Sequence, residues 1–204
     1  MKTLSRLIAP VVALSLLSGC AAVTRVSGAA EPLNSFTLAP ATYPNAPVGG
    51  SGHIVIEEAS TSGALATDRI LIKPSRVQAA YLPQSRWTDP APVLVQTLLL
   101  SSLQNAGGFR LVARDAKGLQ PDFTLMTELR DFQAEAPAGA APVVKVGMTL
   151  TLIREADRRI LATRRLDASA AAASDGTADV VVAFDAATSQ ILGQAVAWVQ
   201  SNAR

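Results

Sequence analysis

Residues Val143 to Arg154 (VVKVGMTLTLIR) constrain this chain most. Val144, Val146, Met148, Leu150 and Leu152 occupy every second position. Side chains of a strand point alternately to its two faces, so a period of two puts all five apolar groups on one side. Glu155 to Arg159 (EADRR) then reads as a turn, and Ile160 to Leu166 pairs back. A long antiparallel hairpin with one apolar face must be covered by something else in the chain.

Two segments can supply that cover. Asp89 is placed to cap a helix that has Pro90 at its first position. Val93, Leu94, Thr97, Leu98, Ser101 and Leu103 recur at helical spacing, Leu99 and Leu100 widen the face, and Gly107-Gly108 supplies the stop. The second helix is Thr177 to Ser201, with Phe184, Ala187, Thr188, Ile191, Ala195 and Trp198 along one stripe and Val181, Leu192, Val196 and Val199 beside it. The stripe at Phe184, Ile191 and Trp198 suits core packing better than docking of a partner helix.

The remaining elements are extended. Asn34 to Leu38 and His53 to Glu58 read as strands, and Arg69 to Lys73 with Arg76 to Leu82 as a hairpin around Pro74-Ser75. Phe109 to Ala113 is a short strand. In Asp122 to Gln133, the alternation Phe123, Leu125, Thr127, Leu129 breaks at Asp131, and Phe132 takes the opposite phase. A bulge or a strand end near Arg130 reconciles the two. Loops are expected at Pro40 to Gly50, at Pro83 to Asp89, at Glu135 to Pro142 and at Ala168 to Asp175. The order predicts an α+β fold, a mostly antiparallel sheet with a central and a C-terminal helix packed on one face.

The N-terminus carries a different signal. Lys2 and Arg6 precede an apolar run, Leu7 to Leu17, and Leu17-Ser18-Gly19-Cys20 follows. The run is about half of the ~20 residues needed to span a bilayer, so it reads as a cleaved signal. The arrangement resembles a bacterial lipoprotein signal, in which the Cys thiol receives a diacylglyceryl group, cleavage leaves it N-terminal, and a further acyl chain such as palmitate is added. The expected organisation is a signal peptide at 1–19, a lipidated Cys20 with a tether over 20–33, and a globular domain at 34–204. More than one acyl chain makes such an anchor firm. Ala21 and Ala22 follow Cys20, where an Asp commonly marks inner-membrane retention in such lipoproteins. Their presence points to the outer membrane, periplasmic face.

Cys20 is the sole cysteine. Once it is lipidated, no disulfide can form, and stability rests on a packed core. Of the 18 basic residues, Lys2 and Arg6 leave with the signal, so 16 face 16 acidic side chains. That balance gives no electrostatic basis for nucleic-acid binding.

The Arg69-to-Lys73 stretch, Ala80-Tyr-Leu-Pro-Gln-Ser-Arg-Trp87, the Leu-rich helix Val93 to Leu103, Asp122 to Phe132 and the 143–166 hairpin follow one another in a known order. In this the chain resembles the ABC-type transport auxiliary lipoproteins of the PqiC-like group. The resemblance implies a role without chemistry of its own. Such proteins accompany an MCE-domain protein with its ABC permease and ATPase, and serve movement of phospholipid or sterol-like cargo across the periplasm.

The residues themselves offer little for catalysis. The lone His53 starts a strand, where a surface position is expected. Ser51 lies nearby but lacks the strand–turn–helix setting of an activated serine. One His and one lipidated Cys make no zinc site, and Asp115, Asp122, Glu128 and Asp131 are scattered. No cofactor, metal or enzymatic activity is therefore expected. Arg154, Arg158, Arg159, Arg164 and Arg165 crowd one hairpin and read as a solvated face balanced by Glu155, Asp157 and Asp167, or else as a patch for anionic headgroups. Tyr81, Arg86 and Trp87 are the candidate partner-binding residues, because aromatics and Arg dominate binding hot spots. The competing reading has both rings covering the end of the sheet. A lipid-binding carrier and a structural envelope lipoprotein remain alternatives to the auxiliary role.

Overall fold

The structure is a computed structural model that describes residues 33–47 and 49–203. The signal at 1–19, Cys20 and the tether as far as residue 32 lie outside the described residues. The described strands are β1 (Asn34–Phe36), β2 (His53–Ile56), β3 (Ser60–Thr61), β4 (Arg69–Ser75), β5 (Gln78–Trp87), β6 (Leu111–Ala113), β7 (Phe123–Glu135), β8 (Val143–Arg154) and β9 (Arg159–Ala171). The helices are α1 (Ala91–Ala106), between β5 and β6, and α2 (Thr177–Asn202), at the C-terminal end of the described chain. The result is α+β, a mixed and mostly antiparallel nine-strand sheet.

β7 is the axis of the sheet. One edge pairs antiparallel with β8 along its whole length, and β8 pairs likewise with β9. The other edge is shared by three short strands, all parallel to it. β2 takes residues 123–125, β3 takes 128–129 and β4 takes 133–135. Beyond β4 lie β5, its hairpin partner, and β1.

The alternation that predicts β8 is the alternation observed. Val144, Val146, Met148, Leu150 and Leu152 are all buried. In β7 the register shifts between Leu129, opposite Met148, and Asp131, opposite Gly147. The extra residue is Arg130. It moves the inward phase from Leu125 and Leu129 to Phe132 and Ala134, all four of which are buried.

Both helices lie on this apolar face. α2 packs on β8 and β9, and α1 packs on α2, β6 and β2. The predicted α2 stripe (Phe184, Ala187, Thr188, Ile191, Ala195 and Trp198) is buried throughout. By length and composition α2 could cross a bilayer, but its apolar side is taken by the sheet.

Four local expectations are corrected. β1 ends at Phe36 and β2 at Ile56, two residues earlier than predicted in each case, and β6 begins at Leu111 rather than Phe109. Asp89 does not cap α1: Pro90 holds that position, and the Ala91 amide donates to the Thr67 carbonyl instead. The buried face of α1 is Ala91, Leu94, Val95, Leu98, Leu99, Ser102, Leu103 and Ala106, while Val93, Thr97 and Ser101 are only half-buried. Residues 168–171 are strand rather than loop, because β8 has residues 143–146 to pair with them. Gly107 does end α1, in the left-handed region at φ 67°.

Candidate functional site

The expected loop at Pro83 to Asp89 is mostly strand. β5 continues to Trp87 through a large irregularity, in which Tyr81 pairs with Leu71 but Arg86 pairs with Arg69. Pro83 and Gln84, whose φ is +49°, lie inside it. A proline cannot donate to a ladder, so the strand absorbs it as a bulge. After the bulge, side chains alternate again: Ser85 and Trp87 point inward and Arg86 outward.

This alternation separates the three candidate residues. Trp87 is 1% exposed. Its ring meets Phe184 of α2 edge-on at 5.1 Å and Phe132 of β7 at 5.5 Å, and the latter two lie 5.1 Å apart. Trp87 is thus the third ring of a core cluster that ties sheet to helix, and the expectation that it faces a partner is corrected. Tyr81 and Arg86 do reach the surface. The Tyr81 hydroxyl donates to the Ala64 carbonyl at 3.2 Å, and the Arg69 guanidinium sits 5.8 Å from its ring centre. Arg86 donates through Nε to Ser35 Oγ at 3.0 Å and lies 3.7 Å from Asp68 Oδ2. Together Ser35, Asp68, Arg69, Tyr81 and Arg86 form a polar surface held by short contacts around β1, β4 and β5.

His53 is not at the surface. It is 8% exposed, its backbone amide donates to Asp122 Oδ2 at 2.7 Å, and its Nε2 has no partner among the described residues. Among the described residues no group of three or more His, Cys, Asp or Glu side chains could hold a metal ion.

The arginine-rich hairpin is partly neutralised. Arg154 makes a two-pronged contact with Asp157 at 3.0 and 2.8 Å, and Arg165 does the same with Asp167. The hydrogen bonds from Arg154 and Arg165 hold the Asp157 and Asp167 carboxyls below the ordinary aspartate range, against the opposing effect of desolvation. Asp131, Gly147 and Asp167 stand in one row across β7, β8 and β9. A Cβ on Gly147 would lie 2.8 Å from one Asp167 oxygen and 3.0 Å from one of Asp131, so a glycine here lets two carboxylates flank the row.

A second feature has no counterpart among the sequence motifs. At the tip of the β4–β5 hairpin, a cleft of about 510 Å³ is lined by Lys73, Pro74, Ser75, Arg76, Glu135 and Pro137. Val77 beside it is 97% exposed. The sequence pattern carries no signal for it: Pro74-Ser75 is the expected turn and Arg76 and Val77 read as the start of the returning strand, whereas in the structure these two residues form the turn between β4 and β5.

The fold has solved relatives. A crystal structure of a protein from Xanthomonas campestris matches with a TM-score of 0.74 at 20% identity, covering 83% of this chain and 95% of that one. A hypothetical protein from Chlamydia trachomatis matches with a TM-score of 0.51 at 11% identity, covering 75% and 98%. At such identities the likeness is one of fold. An uncharacterized protein of Bradyrhizobium diazoefficiens is 25% identical over 148 residues, which is 72% of this chain but 39% of that protein. The chain therefore spans about two fifths of that relative's length. The model of the ABC-type transport auxiliary lipoprotein component matches residues 36–196, nearly the whole described fold, and the chain belongs to that family.

Proposed function

We propose that this protein is a lipid-anchored, non-enzymatic auxiliary component of an ABC transport system built on an MCE-domain protein. Cys20 carries the anchor at the periplasmic face of the outer membrane, and the domain from Asn34 onward docks on the transporter. The cargo class is phospholipid or sterol-like lipid, and ATP hydrolysis by the distant ATPase drives its movement. The observation that carries this reading is the family match over residues 36–196, and the lipoprotein-like signal ending at Cys20 agrees with it.

Docking falls to the surface around Ser35, Tyr81 and Arg86. Arg and Tyr are the side chains that most often anchor interfaces. Here both are pre-positioned by contacts within the protein, so little ordering is needed on binding.

The test is a tagged pull-down from detergent-solubilised native membranes, with proteins and lipids identified by mass spectrometry. Recovery of an MCE-domain protein with its permease or ATPase is expected. Recovery of outer-membrane or peptidoglycan-associated proteins alone would overturn the reading in favour of a structural envelope lipoprotein.

A further inference from the structure

We propose that the tip of the β4–β5 hairpin is a membrane-contact corner, with Lys73 and Arg76 at the phosphates of an anionic bilayer and Val77 in its interface. The inference rests on the anchored reading of Cys20 and adds an orientation to it.

Chain direction supplies the first argument. β1 runs parallel to β5, with Asn34 opposite Ser85 and Phe36 opposite Trp87. The chain therefore enters β1 heading away from the hairpin tip. Gln78, at the tip end of β5, is seven residues from Ser85, a distance of about 23 Å along a strand. The fourteen residues 20–33 span at most about 48 Å when fully extended. An anchor at Cys20 can thus lie beyond the tip with length to spare.

Charge supplies the second. Neither Lys73 nor Arg76 belongs to an ion pair among the described residues, whereas Glu135, the acid lining the same cleft, is taken by Lys145 at 2.7 Å. The corner is therefore cationic and its cations are free for an anion. Of the other acids toward this end of the sheet, Asp131 accepts from Gln133 and Asp167 is paired with Arg165, while Asp175 and Asp179 belong to the turn and helix that follow β9, three strands from β4, and Asp179 is occupied by Ser174.

Shape supplies the third. Val77 stands 97% exposed at the apex, and the adjoining turn, Pro137 to Pro142, is uncharged. An apolar apex flanked by cations suits the boundary between headgroups and acyl chains.

Cys20 is the only native cysteine, so in the lipidated protein Val77→Cys introduces a single free thiol for an environment-sensitive fluorophore. Ile160→Cys is the control. It is 65% exposed and sits at the opposite end of the sheet, about 36 Å away along the twelve residues of β8. The full-length lipoprotein is reconstituted in vesicles of phosphatidylcholine and phosphatidylglycerol. The label at 77 should be blue-shifted and quenched by lipid-borne nitroxide, and the label at 160 should report water. Replacing phosphatidylglycerol, or making Lys73→Gln with Arg76→Gln, should weaken the contact by roughly fivefold for each cation lost, while the protein still floats with the vesicles. A protein that floats while 77 and 160 both report water would overturn the orientation alone. A protein that fails to float would overturn the anchor, and the orientation with it.

Discussion

Trp87 and Phe184 meet edge to face with ring centres 5.1 Å apart, joining the end of β5 to the first half of α2. Phe132 completes the cluster, and it reaches the core because β7 takes up the extra residue at Arg130 as a bulge. A bulge on one strand and an aromatic on another are therefore parts of one packing solution.

Truncating this cluster should be costly. Phe184→Ala or Trp87→Ala is expected to lower stability by about 3–5 kcal/mol, read as a fall in the urea midpoint. By contrast, Tyr81→Ser and Arg86→Ser should leave the midpoint nearly unchanged and reduce capture of the docking partner. If the Trp87 variant kept wild-type stability while losing the partner, the assignment of Trp87 to the core would be wrong.

Deleting Arg130 should be tolerated. The deletion closes the bulge and leaves Leu129, Phe132 and Ala134 opposite Met148, Val146 and Val144 in unbroken alternation, so the inward face is kept. The deletion variant and Arg130→Ala are both expected to retain cooperative unfolding in a thermal melt, and loss of cooperativity in the deletion variant alone would contradict the bulge assignment.

Gln96 tests the polar seam beneath α1. Its Nε2 donates to the Ile56 carbonyl at 2.8 Å, and its Oε1 accepts from Arg114 at 2.7 Å. Gln96→Leu leaves the carbonyl without that donor and should cost about 1–3 kcal/mol. Chemical denaturation beside the milder Arg114→Lys would check it.

Acid sensitivity should be shallow. The folded Asp157 and Asp167 titrate below the ordinary range because Arg154 and Arg165 hydrogen-bond them. Their contribution is present in full above the ordinary aspartate pKa, about 3.9, and is lost as pH falls through the lower folded value. Both pairs are solvent-exposed, so the loss is small and shrinks with added salt. Melting temperatures of wild type and Asp167→Asn should nearly coincide at neutral pH and converge further in acid.

How much of this was legible in the sequence depended on pattern strength. The β7 phase break at Asp131 announced a bulge or a strand end, because a period of two cannot pass through it unbroken, and the structure takes the bulge. β8 was legible for the same reason. The inward face of α1 was not, since Leu94, Leu98, Leu99, Leu100 and Leu103 surround much of the helix and leave its rotation to Gln96, Ser102 and their partners. Ala168 to Ala171 has weak strand propensity and became strand because β8 offered an open edge, a tertiary decision. The structure puts Tyr81 and Arg86 at the surface and Trp87 in the core. Residue type alone does not tell a core ring from a binding ring, although the alternation Ser85, Arg86, Trp87 carried the distinction.

The most direct measurement is photo-cross-linking in intact envelopes, with a photoreactive residue placed in turn at Ser35, Tyr81 and Arg86 of the full-length lipoprotein. The account predicts adducts with an MCE-domain subunit of an ABC transport system from at least one of these positions. Adducts confined to peptidoglycan-associated or outer-membrane proteins, with no transporter subunit at any of them, would contradict it.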